Sequence, residues 1–270
     1  MENNKIIKLF KEYTHKESQN GRKTMEDYIK IIPKYSNQDS KAYFAIFDGH
    51  SGKDAAKYCK DHLDRILSTF LYKTNFNLNK SIYLTFQKIN HDFLSNFPNT
   101  ETGSTATVIF IFKQYNCLSR KSDRIISCSN VGDSKAYLVL KNKTKIQLTT
   151  DHKCSDAKEV ERVKSAGGIV FSGRVYGKLM LTRTIGDSEM KRYGVIFNPS
   201  HIQRTIDDNN DWFIILASDG LWDCIDDASF DNILNSLNTN DDANTIINKF
   251  NDVSLKGGMG DNVSIIVIIL

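Results

Sequence analysis

Apolar positions along the chain follow two periodicities. Runs rich in β-branched and aromatic residues read as strands at 42–47, 105–112, 124–130, 135–140, 212–217 and 263–270. In several of them both alternating faces are apolar, as in Tyr43, Phe44, Ala45, Ile46 and Phe47. Such strands need cover on both sides. Two segments between them have helical spacing. Ala55, Ala56, Cys59, Leu63, Ile66, Leu67 and Phe70 form one apolar face, and Ile82, Phe86, Ile89 and Phe93 form another. The two helices are consecutive and should pair as an antiparallel hairpin. Shorter helices are expected near 156–166, 229–237 and 243–252.

Strands, two helices, many strands, then helices and a last strand is not the regular alternation of a parallel α/β sheet. Hairpin-like spacing around Gly132 and Asp133 suggests antiparallel pairing. Two sheets packed face to face, with helices outside, would bury the apolar strands. With three prolines, no repeat and no linker-like stretch, one domain over residues 1–270 is the simplest organisation.

Bulk properties narrow the class. The 270 residues are enough to bury a core without staples. The 40% apolar and 25% charged fractions suit a globular protein. A net charge of +4, with Lys and Arg spread among Asp and Glu, argues against nucleic acid or a membrane as partner. Five scattered cysteines without a CxxC pair argue against a disulfide framework or a zinc knuckle. The opening MENNKIIKLF has no apolar signal core, and no apolar run is long enough to span a bilayer. The expectation is a cytosolic or nuclear protein.

Chemistry enters at the strand ends. FAIF ends on Asp48, followed by Gly49 and His50. WFIILAS ends on Asp219, IISCSNVG on Asp133, and the last strand is preceded by Gly260, Asp261 and Asn262. RKTMED places Glu26 and Asp27 beside Arg22. A single Asp-Gly is ordinarily a turn. Five acidic sites, each at a core strand or a glycine-marked turn, would crowd carboxylates together if those ends converge. Unpaired buried anions are untenable, and divalent cations resolve the conflict. Oxygen ligands without clustered His or Cys favour Mg²⁺ or Mn²⁺ over Zn²⁺. Gly49 would let its carbonyl approach an ion. His50 would lie just outside the ligand shell, or be a hydrogen-bonded structural histidine.

Taken together, RKTMED, FAIFDGHSG, TGSTATVIF, CSNVGDSKAYL, LTTDHK, AGGIV, RVYGKLMLTRTIGDSEMK, FIILASDGLWD and GDNVSIIVI resemble the PPM/PP2C family of metal-dependent protein serine/threonine phosphatases. The resemblance runs from Gly21 to the C-terminus. It implies an α+β, four-layer αββα fold, a central antiparallel β-sandwich flanked by pairs of helices. It implies two Mg²⁺ or Mn²⁺ ions in a cleft. By it, Asp48 bridges the ions, Glu26 and the Gly49 carbonyl complete one set, Asp27 acts through water, and Asp219 and Asp261 hold the other. Asp133 and Asp223 match positions that help hold a weaker third ion. Arg22 matches the phosphate-binding arginine, and residues 152–192 should include a flap. The implied reaction is direct attack of metal-activated water on phosphoserine or phosphothreonine, with His50 protonating the leaving oxygen. Phosphoproteins are the implied substrates, and a monomer is expected.

The departures are Ser51 for a usual Gly, Cys154 for a usual Pro, LMLTRTIGD for LAVSRAFGD, and a missing acidic residue in NPSHIQ. None removes a metal ligand. Cys59 to Arg65 fits the C-x5-R pattern of cysteine-dependent phosphatases, but it falls inside a helix, where interior N–H groups cannot cradle phosphate. The alternative of an inactive PP2C-like binding module would show as lost metal carboxylates, and these are present. Trp222 is expected to pack behind the metal site, and Asp223 is either a helix cap or a third-ion ligand.

Overall fold

The computed structural model describes residues 8–117, 120–256 and 260–270. In chain order the elements begin with β1 (Glu12–Ser18), β2 (Tyr28–Ile32), β3 (Lys41–Phe47) and β4 (Gly49–His50). Helices α1 (Asp54–Lys73) and α2 (Leu78–Asn96) follow, then β5 (Gly103–Ser104), β6 (Ala106–Asn116), β7 (Lys121–Val131), β8 (Lys135–Leu140) and β9 (Lys145–Gln147). The flap region holds α3 (Ala157–Ser165), β10 (Val170–Phe171), β11 (Arg174–Val175), β12 (Ile185–Gly186) and α4 (Ser188–Lys191). The chain ends with β13 (Ser200–Thr205), β14 (Asp211–Ala217), α5 (Asp219–Trp222), α6 (Asp227–Ser236), α7 (Ala243–Lys256) and β15 (Val263–Ile269).

Two five-stranded antiparallel sheets, ordered β1-β15-β14-β8-β9 and β13-β7-β6-β3-β2, form the sandwich. Strand period explains the layers. In β3, Ala42, Phe44 and Ile46 enter the core between the sheets with Ile266, Ile268 and Ile214. The alternate residues Tyr43, Ala45 and Phe47 meet Cys59, Leu63, Leu67 and Phe86 of α1 and α2. In β15, Ile265, Val267 and Ile269 face Phe230, Leu234, Ile246 and Phe250 of α6 and α7. Each such side chain contributes about 1.5–3 kcal/mol when fully buried. The layers are therefore αββα, as expected.

The paired helices form because their sequences carry apolar residues at three- and four-residue steps without a Pro or Gly. Asp54 opens α1 and Lys73 closes it, matching the helix dipole. Asn77 caps α2 by accepting a hydrogen bond from the Lys80 N–H. Among the described residues no helix is long and apolar enough to cross a membrane.

One expectation fails. Gly132 and Asp133 do not close a hairpin. β7 and β8 lie in different sheets, so these residues form a crossover from one sheet to the other. Each strand finds its antiparallel partners elsewhere, β7 with β6 and β13, β8 with β14 and β9.

Candidate active site

Topology brings the acidic turns to one end of the sandwich. Tyr28 pairs with Phe47, so the start of β2 lies beside the end of β3. Ala217 pairs with Ile265, so the start of β15 lies beside the end of β14. β7 runs parallel to β3 across β6 and ends on the same side. Nine of the ten residues singled out from the sequence line one cavity of about 350 Å³: Arg22, Glu26, Asp48, Gly49, His50, Asp133, Asp219, Asp223 and Asp261. The tenth, Asp27, lies behind it, 2% exposed, where it accepts a hydrogen bond from Ser218 Oγ at 2.7 Å.

Within the cavity, carboxylate oxygens of Asp48, Asp133 and Asp219 all lie within 4.8 Å of one another. Removal from water raises the pKa of each, and their mutual repulsion adds to it. Asp219 is pushed up to about 7 and Asp27 to about 6. Asp48, facing Asp27, Asp219 and Asp133, is raised well above the ordinary value. Asp133 is raised by burial although Lys153 Nζ pairs with it at 2.8 Å. Three carboxyl groups held this close against their own repulsion, with Asp27 behind them, are a donor set suited to hard divalent cations.

Local structure explains how the ligands are held. Gly49 admits no side chain, because a Cβ there would stand 2.6 Å from the Glu26 carbonyl oxygen. Asn262 ties the Glu26 loop to the start of β15. Its Oδ1 accepts from the Glu26 N–H at 2.8 Å, and its Nδ2 donates to the carbonyls of Gln19 and Thr24. Glu26 accepts from the Gly52 N–H at 3.1 Å. Asp261 lies at the lip, where Arg22 Nη2 pairs with it at 2.5 Å and Arg22 Nε donates to the Gly260 carbonyl. Asp223 is exposed and follows the short helix α5, its N–H donating to the Asp219 carbonyl. Trp222, the last residue of α5, packs against Tyr137 and Phe230 and donates from Nε1 to the Ala217 carbonyl.

His50 is neither free nor a ligand in this arrangement. Its Nε2 lies 2.9 Å from Asp187 Oδ1 and 3.0 Å from Oδ2. Burial alone would lower the pKa of the ring, but the Asp187 carboxylate outweighs it and the pKa is raised. Asp187, Lys153 and Arg174, which also faces the cavity, were missed as individual residues. Their signal lay within IGD, DHK and RVYG, polar residues inside flap stretches whose partners are distant in sequence.

The cysteine alternative fails on geometry. Cys59 is fully buried inside α1, and burial pushes its thiol up. Ser51 takes a left-handed backbone with φ 57, a conformation easier for the Gly it replaces.

A sequence model of the family "Protein phosphatase 2C" matches residues 11–263. The chain belongs to the protein phosphatase 2C family. It is 32% identical over 263 residues to Protein phosphatase 2C homolog 1 of Saccharomyces cerevisiae, covering 92% of this chain and 89% of that one. It is 35% identical over 210 residues to Protein phosphatase 1L of Bos taurus, covering 76% of this chain and 58% of that one. A solved phosphatase from a pathogenic strain of Toxoplasma gondii superposes with a TM-score of 0.82 at 20% identity, over 97% of this chain and 93% of that one. At that identity the likeness shows the fold alone. Membership in the protein phosphatase 2C family makes the chain a serine/threonine protein phosphatase.

Proposed function

We propose that this phosphatase depends on Mg²⁺ or Mn²⁺, that it holds at least two such ions in the strand-end cavity, and that residues 1–270 act as one catalytic unit. The supporting observation is the cluster of Asp48, Asp133 and Asp219, three carboxylates within 4.8 Å of one another; among the described residues Asp133 alone of the three makes an ion pair, with Lys153. Asp48, which feels the charges of Asp27, Asp219 and Asp133, would be the ligand shared by the ions. Glu26 and the Gly49 carbonyl would hold one ion, with Asp27 assisting through water, and Asp219 and Asp261 would hold the other. Asp133 and Asp223 would serve a third, weaker ion, for which Asp133 would have to leave Lys153. Bound there, the ions supply Lewis acidity to phosphoryl oxygens and lower the pKa of water.

The remaining chemistry falls to protein groups. Arg22 offers a planar fork of donors to the phosphoryl oxygens, exchanging its contact with Asp261 for one with substrate. His50 holds the proton that the departing serine or threonine oxygen needs, since an alkoxide is a poor leaving group. Leu179, Met180 and Leu181 of the flap close one wall of the cavity. Phosphoproteins are the substrates this reading assigns, and a monomer suffices for it.

The test is hydrolysis of a phosphothreonine peptide with Mn²⁺, with Mg²⁺ and with EDTA. Turnover that needs a metal ion is expected. A folded protein equally active in EDTA would refute the metal assignment. For His50, the H50A variant should lose far more on the phosphopeptide than on nitrophenyl phosphate, whose leaving group departs without a proton. Equal losses on the two substrates would remove the acid role.

A further inference from the structure

Outside the sandwich, three short strands form a sheet of their own in the order β12-β5-β4. It is too small to bury a core, and its register shows what it arranges. His50 pairs with Gly103, and Gly103 pairs with Gly186, the residue before Asp187. His50 and Asp187 thus stand on either side of Gly103. A Cβ at Gly103 would lie 2.0 Å from Asp187 Oδ2 and 2.3 Å from His50 Nε2. The glycine leaves the space through which imidazole and carboxylate meet.

Asp187 is fixed independently of His50. It is 5% exposed, and its N–H donates to the Thr102 carbonyl at 2.9 Å. Its backbone is left-handed, φ 51, which an Asp adopts at some cost. The distances of 2.9 and 3.0 Å place His50 Nε2 almost evenly between the two carboxylate oxygens. His50 borders both the carboxylate cavity and a smaller one of about 220 Å³, while Asp187 borders only the smaller. The carboxylate touches the lining of the carboxylate cavity through the His50 imidazole.

We propose that Asp187 is a positioning residue for the leaving-group proton transfer, fixing the His50 ring so that Nε2–H is committed to the carboxylate and Nδ1 serves the substrate. This rests on the acid role of His50 proposed above. In the step, the Nδ1 proton passes to the serine or threonine oxygen as its bond to phosphorus breaks and the bonding pair leaves with that oxygen. The ring is left neutral, with Nε2–H still donated to Asp187. An ion pair serving stability alone would link the same two residues without favouring any substrate.

Two variants suit the left-handed backbone and should fold. D187N keeps the shape, but an amide can donate or accept at Nε2 and no longer enforces one tautomer. D187G removes the side chain at a position where glycine is unstrained. Each is assayed with Mn²⁺ on a phosphothreonine peptide and on nitrophenyl phosphate, alone and combined with H50A, with thermal unfolding as the check on folding. The expected result is a roughly 10–100-fold loss of kcat on the phosphopeptide. Nitrophenyl phosphate turnover should change by less than about threefold, and D187N should cost nothing further on top of H50A. Equal losses on both substrates, or losses that add in the double variant, would overturn the proposal. If H50A itself fails to discriminate the substrates, the acid reading falls first. If H50A discriminates and D187N does not, only the role of Asp187 falls.

Discussion

Two regions of the molecule treat a buried carboxylate in opposite ways. In the flap, Glu159 is 5% exposed and fully answered. It accepts from Arg162, from Thr182 Oγ1 at 2.7 Å and from Arg183, and these partners outweigh burial to hold its pKa below the ordinary value. In the strand-end cavity, Asp27, Asp48 and Asp219 have one another for neighbours, hydroxyl or backbone donors and, among the described residues, no ion pair with a protein cation, and their pKa values are raised. The same chain surrounds one buried carboxylate with guanidinium groups and, in the cavity, leaves Asp48 and Asp219 without an ion pair among the described residues while Asp133 is paired with Lys153. A raised carboxylate cluster is thus a stored demand for positive charge.

Four measurements would break or sharpen that contrast. The largest effect is expected for D48N, which removes the central carboxylate. Metal-supported turnover should fall by roughly 10³-fold, while the metal-free variant should unfold no earlier than the parent, since a repelling charge has gone. A marked loss of metal-free stability would mean that Asp48 is structural.

E159A should do the reverse. It leaves Arg162 and Arg183 without their acceptor, and about 3 kcal/mol of stability should be lost in denaturant unfolding. A loss below 1 kcal/mol would show that the flap does not depend on this pair of ion contacts.

Next comes pH, with the metal removed. Asp27 and Asp219 have folded values of about 6 and 7 against an ordinary 3.8. Above those values the folded state carries the full repulsion. As pH falls from about 7 toward 4, folding takes up protons and stability should rise by several kcal/mol. Below that window the gain stops. Glu159, whose folded value is depressed from 4.5, then begins to lose its contribution as pH falls further. A metal-free stability that rises steadily from pH 4 to 8 would contradict the sign for the cavity.

The smallest effect is a control. Lys57 and Asp61 form an exposed pair one helical turn apart, Nζ to Oδ2 2.6 Å. D61A should change stability by less than about 0.5 kcal/mol, because solvent screens such pairs. A larger effect would mean that ion pairs in this protein are worth more than the contrast assumes.

What could be read from sequence divides along physical lines. Asp48, Asp133 and Asp219 were legible because each directly follows an apolar strand, and chain polarity then places them at a common end. The sandwich strands β3, β6, β14 and β15 were legible through their doubly apolar runs. β1 was not, because Glu12–Ser18 is a largely polar edge strand with little buried surface to mark it. The crossover at Gly132 and Asp133 looked like a hairpin because a glycine turn between two strands has the same local signature in either topology. The flap staple at Glu159 and the pairing of His50 with Asp187 were invisible for a different reason. The latter joins residues 137 positions apart, and only the small sheet around Gly103 makes them neighbours.

The measurement that tests the central contrast most directly is calorimetric titration of Mn²⁺ into the EDTA-stripped protein at neutral pH, in two buffers of different ionisation heat, with D48N alongside. The expected result is binding accompanied by proton release, since Asp48, raised well above its ordinary value, and Asp219, raised to about 7, must give up protons to the metal, and weak or absent binding in D48N. No binding to the folded parent protein, or binding that D48N leaves unchanged and that releases no protons, would contradict it.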